Sequence, residues 1–257
     1  MAVGFLAGQT GYPCRTYAFY RGALAPNYPD LASIGDLFGV SRLMIAKPSN
    51  ISTSASALSA PLVADQPLFV PLTCSCNPTN STNNISSANT NYTIRSGDNF
   101  YLVSTQPFEN LTSYQSVKVV NPSLVPTSLT IGDDVVFPIF CKCPNTTQVA
   151  GGVNYLVSYV LQPSDNLSSV ASRFGVSEQS IVDINGNNTK PTETLFVPVS
   201  KLPNLTQPNV SAADVAPPAA REERTGVIVG LAIGVGLLGA SLILGIGLLV
   251  HRERSSQ

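Results

Sequence analysis

The 257-residue chain carries 14 basic and 15 acidic side chains, a net charge of −1, and charged residues make up only 11% of it. That balance offers no basic surface to a nucleic acid. The length allows two or three small domains rather than a single module.

Residues 1–13 begin with an apolar stretch, 1–7, that has no basic residues before it, and Cys14 follows too soon for a signal peptide with its cleavage site. Five cysteines also leave one without an intrachain partner. Both features predict an incomplete N-terminus. Residues 16–20 (TYAFY) then read as an alternating strand. Residues 30–41 place Leu31, Ile34 and Phe38 at i, i+3 and i+7, one face of a short helix that Gly39 stops. The unit closes on a second strand around Phe69-Val70-Pro71, and module 1 is predicted over residues 14–73.

Directly after this strand comes Cys74-Ser75-Cys76, and the same arrangement returns at Cys141-Lys142-Cys143 after the apolar run 135–140. In an extended chain residues i and i+2 point the same way, so both sulfurs of a pair face one side. The pairs predict disulfide staples at seams between compact units. A four-cysteine zinc site is the competing reading, although zinc ribbons usually space their ligands C-x₂₋₄-C. A bridge between the two seams would close a loop of 67 residues and contribute roughly 4 kcal/mol, which small units with marginal cores would need.

Residues 74–90 form the first seam and a polar linker. Module 2 is predicted over 91–140: a strand at 91–95, a turn and helix cap at Ser96-Gly97-Asp98-Asn99, helices at 101–105 and 113–120, and a closing strand at 135–140. The second seam and linker occupy 141–152. Module 3, 153–203, repeats the pattern of module 1. A strand at 155–160 is followed by a helix with Leu167, Val170 and Phe174 on one face, then Gly175, and by a closing strand with the same tripeptide, Phe196-Val197-Pro198. The fold class is therefore α+β, three strand–helix–helix–strand units.

Residues 204–225 read as a juxtamembrane linker. Residues 226–250 are an uninterrupted run of uncharged, mostly apolar residues, long enough to cross a hydrocarbon core of about 30 Å with some tilt. Asn-X-Ser/Thr acceptors begin at Asn50, Asn80, Asn84, Asn91, Asn110, Asn145, Asn166, Asn187, Asn204 and Asn209, all before the span. Together with the cysteines they predict an extracellular N-terminal part, a single-pass transmembrane helix and a cytoplasmic stub at 251–257. The only histidine, His251, lies beyond the span, so no extracellular His-based triad or His-ligated metal is available. Carboxylates such as Asp133, Asp134 and Asp183 could serve glycan hydrolysis, but adjacent acids in a Gly-Asp-Asp turn read better as a solvated loop. Binding, with no cofactor, is the predicted task.

Three such units separated by Cys-X-Cys pairs resemble the ectodomain of plant LysM receptor-like kinases, most closely the Nod-factor perception subfamily. The similar stretches are Cys14-Arg15-Thr16-Tyr17, Ile45-Ala46-Lys47 with Ser49-Asn50-Ile51, residues 91–105, Phe140-Cys141-Lys142-Cys143-Pro144, residues 155–159, and Ser172-Arg173-Phe174-Gly175. The resemblance implies disulfides Cys74–Cys141 and Cys14–Cys143, and a third from Cys76 to a cysteine upstream of Cys14, which this sequence lacks. It also implies a kinase domain, whereas seven residues follow the span. The family binds N-acetylglucosamine oligomers between the loop after the first strand and the loop before the second. Carried onto module 2, these are Gly97, Asp98, Asn99 and Phe100, and Asn121, Pro122, Ser123, Leu124 and Val125. Leu124 and Ile131 match an apolar patch for the fatty acyl chain of a lipochitooligosaccharide. The function so implied is a plasma-membrane receptor for lipochitooligosaccharides or chitooligosaccharides that signals in symbiosis with a kinase-active LysM co-receptor. A chitin-oligomer receptor or kinase-less decoy in immunity is the alternative. A wall hydrolase would need a domain for which no residues remain.

Overall fold

A computed structural model describes residues 13–76, 86–186 and 190–208. These fall in one unit, residues 1–209; the predicted span at 226–250, the stub at 251–257 and the acceptors Asn80, Asn84, Asn187 and Asn209 lie outside the described residues. Among the described residues no helix is long and apolar enough to cross a membrane.

Module 1 comprises β1 (Cys14–Gly22), α1 (Leu31–Phe38), α2 (Arg42–Ala46), α3 (Ala55–Leu58) and β2 (Gln66–Cys76). Module 2 comprises β3 (Ser86–Thr93), α4 (Phe100–Thr105), α5 (Tyr114–Val120) and β4 (Asp134–Phe140). After α6 (Thr146–Ala150), module 3 comprises β5 (Tyr155–Val160), α7 (Leu167–Phe174), α8 (Glu178–Asn185) and β6 (Thr194–Val199). The helix ends follow from local chemistry. Asp30 caps α1 by accepting from Ser33 N at 2.8 Å while Ser33 Oγ accepts from Asp30 N, and Asn166 and Ser169 make the same reciprocal box on α7. Gly39 and Gly175 end these helices at φ 66° and 67°, in the left-handed region that a side chain disfavours.

Each module contributes one antiparallel strand pair, and the pairs join into a single sheet of order β4-β3-β2-β1-β5-β6. The joints are narrow. β2 and β3 meet only through Ser75–Ser87 and Cys76–Ser86, and β1 meets β5 in parallel at Ala18–Ser158. A side chain reinforces the second joint, Thr16 Oγ1 donating to Leu156 O at 2.6 Å, and Ser158 Oγ ties β5 to the end of β4 by donating to Phe140 O at 2.6 Å.

The modules are less separate than the sequence suggests. Rather than each unit keeping its own core, modules 1 and 2 share one. Tyr20 packs edge-on to Phe38, Phe38 to Phe108, and Tyr92 to Phe137, with centroids 5.4–5.6 Å apart. Tyr20 OH donates to Pro107 O and Thr90 Oγ1 to Leu37 O, each at 2.9 Å, so buried polar groups also cross the boundary. The second core sits on the other side of β1. There Tyr17, Phe19 and Phe69 of module 1 meet Tyr155, Tyr159 and Phe174 of module 3. β1 is thus covered on both faces, and of its nine residues only Arg15 is not buried.

Three boundaries also shift. The predicted linker 74–90 gives up its last residues to β3, the linker at 141–152 forms the short α6, and the juxtamembrane linker begins as a docked segment. In that segment Leu205 is buried, Asn50 Nδ2 donates to Leu205 O, and Gln207 Nε2 donates to Ser49 O at 2.6 Å. Two disulfides join Cys14 to Cys143 and Cys74 to Cys141, with Cα atoms 5.9 and 5.8 Å apart, the pairs carried over from the resemblance. The four sulfurs are consumed in these bonds, which removes the zinc reading for them, although three lie within 4.8 Å of one another.

Candidate functional site

The strand pair of module 2 brings together the turn that follows β3 and the turn that precedes β4. Ile94 N donates to Asp133 O and Gly132 N to Ile94 O, both at 2.9 Å, so the approach to β4 lies along the exit from β3. Each loop is internally braced. Asp98 Oδ2 accepts from Tyr92 OH and from Arg95 N, both at 2.8 Å, which ties the turn back to its own strand. Gly97 takes φ 86°, and no atom lies within 4 Å of where a Cβ would stand, so backbone conformation rather than space selects glycine. Asn99 caps α4 through Leu102 N. Across the gap, Asp133 accepts from Thr130 N and Thr130 Oγ1, and these bonds hold its carboxyl below the usual range.

The predicted ligand residues separate into two groups. Phe100 is a fully buried core ring facing Tyr114 and Phe137. Asn121 is also buried: Nδ2 donates to Val117 O and Val136 O, and Oδ1 accepts from Val136 N, so the amide clasps the end of α5 to β4. Both side chains are thus committed to the packing of module 2, and what these positions leave to a ligand is backbone. Leu124 is half-buried and packs on the shared core. Gly97, Pro122, Val125 and Ile131 are exposed, Val125 at 58% and Ile131 at 74%, while Asp98 is half-buried and Asn99 exposed. Of the predicted set, the apolar side chains that reach solvent are therefore those of Pro122, Val125 and Ile131.

The clasp recurs in the other modules. In module 3 Asn185 Nδ2 donates to Ile181 O and Phe196 O while Oδ1 accepts from Phe196 N. In module 1 Ser49 Oγ donates to Ile45 O and accepts from Phe69 N. The Tyr–Asp brace recurs too, as Tyr159 OH donates to Asp165 Oδ2, which also accepts from Gln162 N.

The carboxylates considered for hydrolysis are engaged locally: Asp134 with Thr93 Oγ1, Asp133 with Thr130, and Asp183 with Gln179 Nε2. Sequence reasoning missed Glu109, whose carboxyl burial pushes up to about 8 against the opposing pull of the Arg21 amide and guanidinium. Arg21 also donates to Val160 O and lies over the rings of Phe19 and Tyr159, so one side chain touches all three modules. The sequence signal was an arginine directly after the apolar run Tyr17–Tyr20 of the first strand. Also missed was a cavity of about 840 Å³ between modules 2 and 3.

Comparison with known proteins gives this geometry a family context. Residues 13–77 match the NFP/LYK LysM1 domain, residues 86–140 the NFP LysM2 domain and residues 155–199 the NFP LysM3 domain. Protein LYK5 of Arabidopsis thaliana is 25% identical over 76% of this chain and 28% of its own length, and LysM domain-containing GPI-anchored protein 2 of the same plant is 28% identical over 64% and 45%. The chain thus spans less than half the length of either relative. The crystal structure of the ectodomain of a receptor like kinase superposes with a TM-score of 0.61 at 21% identity, covering 77% of this chain and all of that one, which shows the shared fold. The chain carries three LysM domains of this type.

Proposed function

We propose that this three-LysM chain is the ligand-binding part of a plasma-membrane receptor for N-acetylglucosamine oligomers, with the lipochitooligosaccharides as its preferred ligands. The loops around Gly97–Asn99 and Pro122–Val125 hold the sugar backbone, and Val125 and Ile131 receive an acyl chain. The carrying observation is Ile131, 74% exposed beside the turn braced by Thr130 and Asp133, at a position where the family resemblance places an apolar patch. Single-pass anchoring through residues 226–250 and signalling with a kinase-active LysM partner in symbiosis belong to the same reading.

N-glycosylation fits it as well. Asn50, Asn91, Asn145, Asn166 and Asn204 are exposed. Asn145 and Asn166 cap their helices through Oδ1, whereas a glycan is carried on Nδ2.

A second reading, a receptor or kinase-less decoy for unacylated chitin in immunity, draws support from two other relatives. Chitin elicitor receptor kinase 1 of Arabidopsis thaliana and the Chitin elicitor-binding protein of Oryza sativa subsp. japonica are 29% and 22% identical over the matched residues.

Ile131→Asp separates the two. It removes apolar contact worth ~0.8 kcal/mol per buried CH₂, so affinity for an acylated oligomer should fall about tenfold or more while the bare oligomer binds as before. The measurement is calorimetric titration of the full chain with both ligands. Equal affinities for the two oligomers in the unsubstituted chain would favour the second reading, and an unchanged acylated affinity in the variant would remove Ile131 from the site. Leu124→Asp is less informative, because that side chain packs on the core.

A further inference from the structure

The 840 Å³ cavity between modules 2 and 3 shares no lining residue with the binding loops. It is bordered by α4 and the start of α5, by residues 140–142 at the end of β4, and by the entry to β6. Its volume lies within the roughly 300–1,000 Å³ of small-molecule sites. Tyr101, 62% exposed on α4, Tyr114 and Phe196 supply aromatic surface.

Two buried oxygens in the lining have no hydrogen-bond partner, Thr112 Oγ1 and Glu193 Oε2, and Thr112 is only 2% exposed. Native folds satisfy most such groups through protein or water, and these two lie just beneath the cleft floor, where a polar partner settling into the cleft would complete them. The lining chemistry narrows what that partner is. Its one cation, Lys142, lies 5.9 Å from the Phe196 ring and shares the cavity with Glu193, so no net positive charge awaits an anion. An acyl chain would leave both oxygens unpaired. A neutral sugar offers hydroxyls to Thr112 and Glu193 and its C–H faces to the rings.

We propose that this cleft is a second saccharide site, distinct from the loops of module 2 and independent of that reading. The saccharide has two sources, a free oligosaccharide or a glycan carried by Asn110, whose acceptor sequence opens in the same lining.

The test uses the full chain from a glycosylating host and a diazirine-tagged N-acetylglucosamine trimer, with labelled peptides mapped by mass spectrometry. Asn110→Gly removes the acceptor without strain, since Asn110 has φ 64°. In that variant the trimer should label the peptides around Tyr101, Tyr114 and Phe196. Adding Tyr101→Ala or Thr112→Val should cut this labelling about tenfold, the equivalent of about one good hydrogen bond or ring contact. Thr112→Val should leave the melting temperature unlowered, because the hydroxyl has no partner to lose. Cleft labelling in the unsubstituted chain identifies a free sugar as occupant. Labelling that appears only with Asn110→Gly identifies the attached glycan. No cleft labelling with Asn110→Gly, or labelling indifferent to both further substitutions, would overturn the proposal. Labelling of 97–100 and 121–125 reports separately on the module 2 loops.

Discussion

On one face of β1, Ala18 and Tyr20 enter a core that also contains Cys14, Cys74, Cys141 and Cys143; on the other, Tyr17 and Phe19 meet module 3, in a core that contains none of them. Modules 1 and 2 are therefore held by covalent staples around a common interior. Module 3 is held by rings: Phe19 lies 5.2 Å from Tyr159 and 5.8 Å from Phe174, and Arg173 covers both Phe19 and Tyr159 while donating to the Tyr159 hydroxyl. Aromatic pairs of this kind add about 0.5–1.5 kcal/mol each beyond their buried area. The contrast shows that two neighbours of one strand can be fixed differently, one by covalent links added to a shared core and the other by native contacts alone.

The largest effect should come from the staple side. A Cys74→Ser/Cys141→Ser variant opens a 67-residue loop and should lose about 4 kcal/mol, seen as lower secretion and a lower melting temperature. Amide exchange should accelerate first in β1 to β4. Equal acceleration in β5 and β6 would mean that the two sides unfold as one unit, and an unchanged melting temperature would contradict the staple account altogether.

Next comes the aromatic side. Phe174→Ala empties part of the second core at a cost of about 3 kcal/mol, and protection should fall first in α7, α8 and β6. Retained protection there would show that β1–β5 pairing, not the rings, holds module 3.

The smallest effect concerns Arg21, which spans both sides. Its partner Glu109 has a carboxyl raised by burial from the ordinary 4.5 to about 8. A folded state that keeps a proton the unfolded chain has released is favoured at low pH. This contribution is complete below about pH 4.5 and fades as pH climbs toward about 8. Glu109→Gln should flatten that part of the stability–pH profile, measured by urea unfolding at several pH values. An unaltered profile would assign the slope to other groups.

The helical stripes were legible because their signals are local: apolar positions at i, i+3 and i+7 and the glycine stops, which the caps at Asp30 and Asn166 complete in the structure. The burial of β1 on both faces left a signal that an alternating reading overlooked, since TYAFY is apolar at consecutive positions, as doubly covered strands are. The clasp was hidden for a different reason. Asn121, Asn185 and Ser49 bond to strand residues 15, 11 and 20 positions ahead, and two residue types do the same work. An asparagine beside a proline in a loop looks like a ligand group until its burial is known. The cleft between modules 2 and 3 combines residues 101–115 with 192–196, and nothing local to either stretch announces the other.

The central place of β1 also sets a timetable for biosynthesis. Thr16 finds its partner Leu156 after 140 further residues, and Cys14 finds Cys143 after 129. At roughly 5–20 residues per second, the strand leaves the ribosome about ten to thirty seconds before the last of its neighbours exists. Through that interval Tyr17 and Phe19 are bare and the Cys14 thiol is available to wrong partners. The nascent chain is then a client for folding helpers, and its yield depends on how well they guard one nine-residue segment until module 3 arrives.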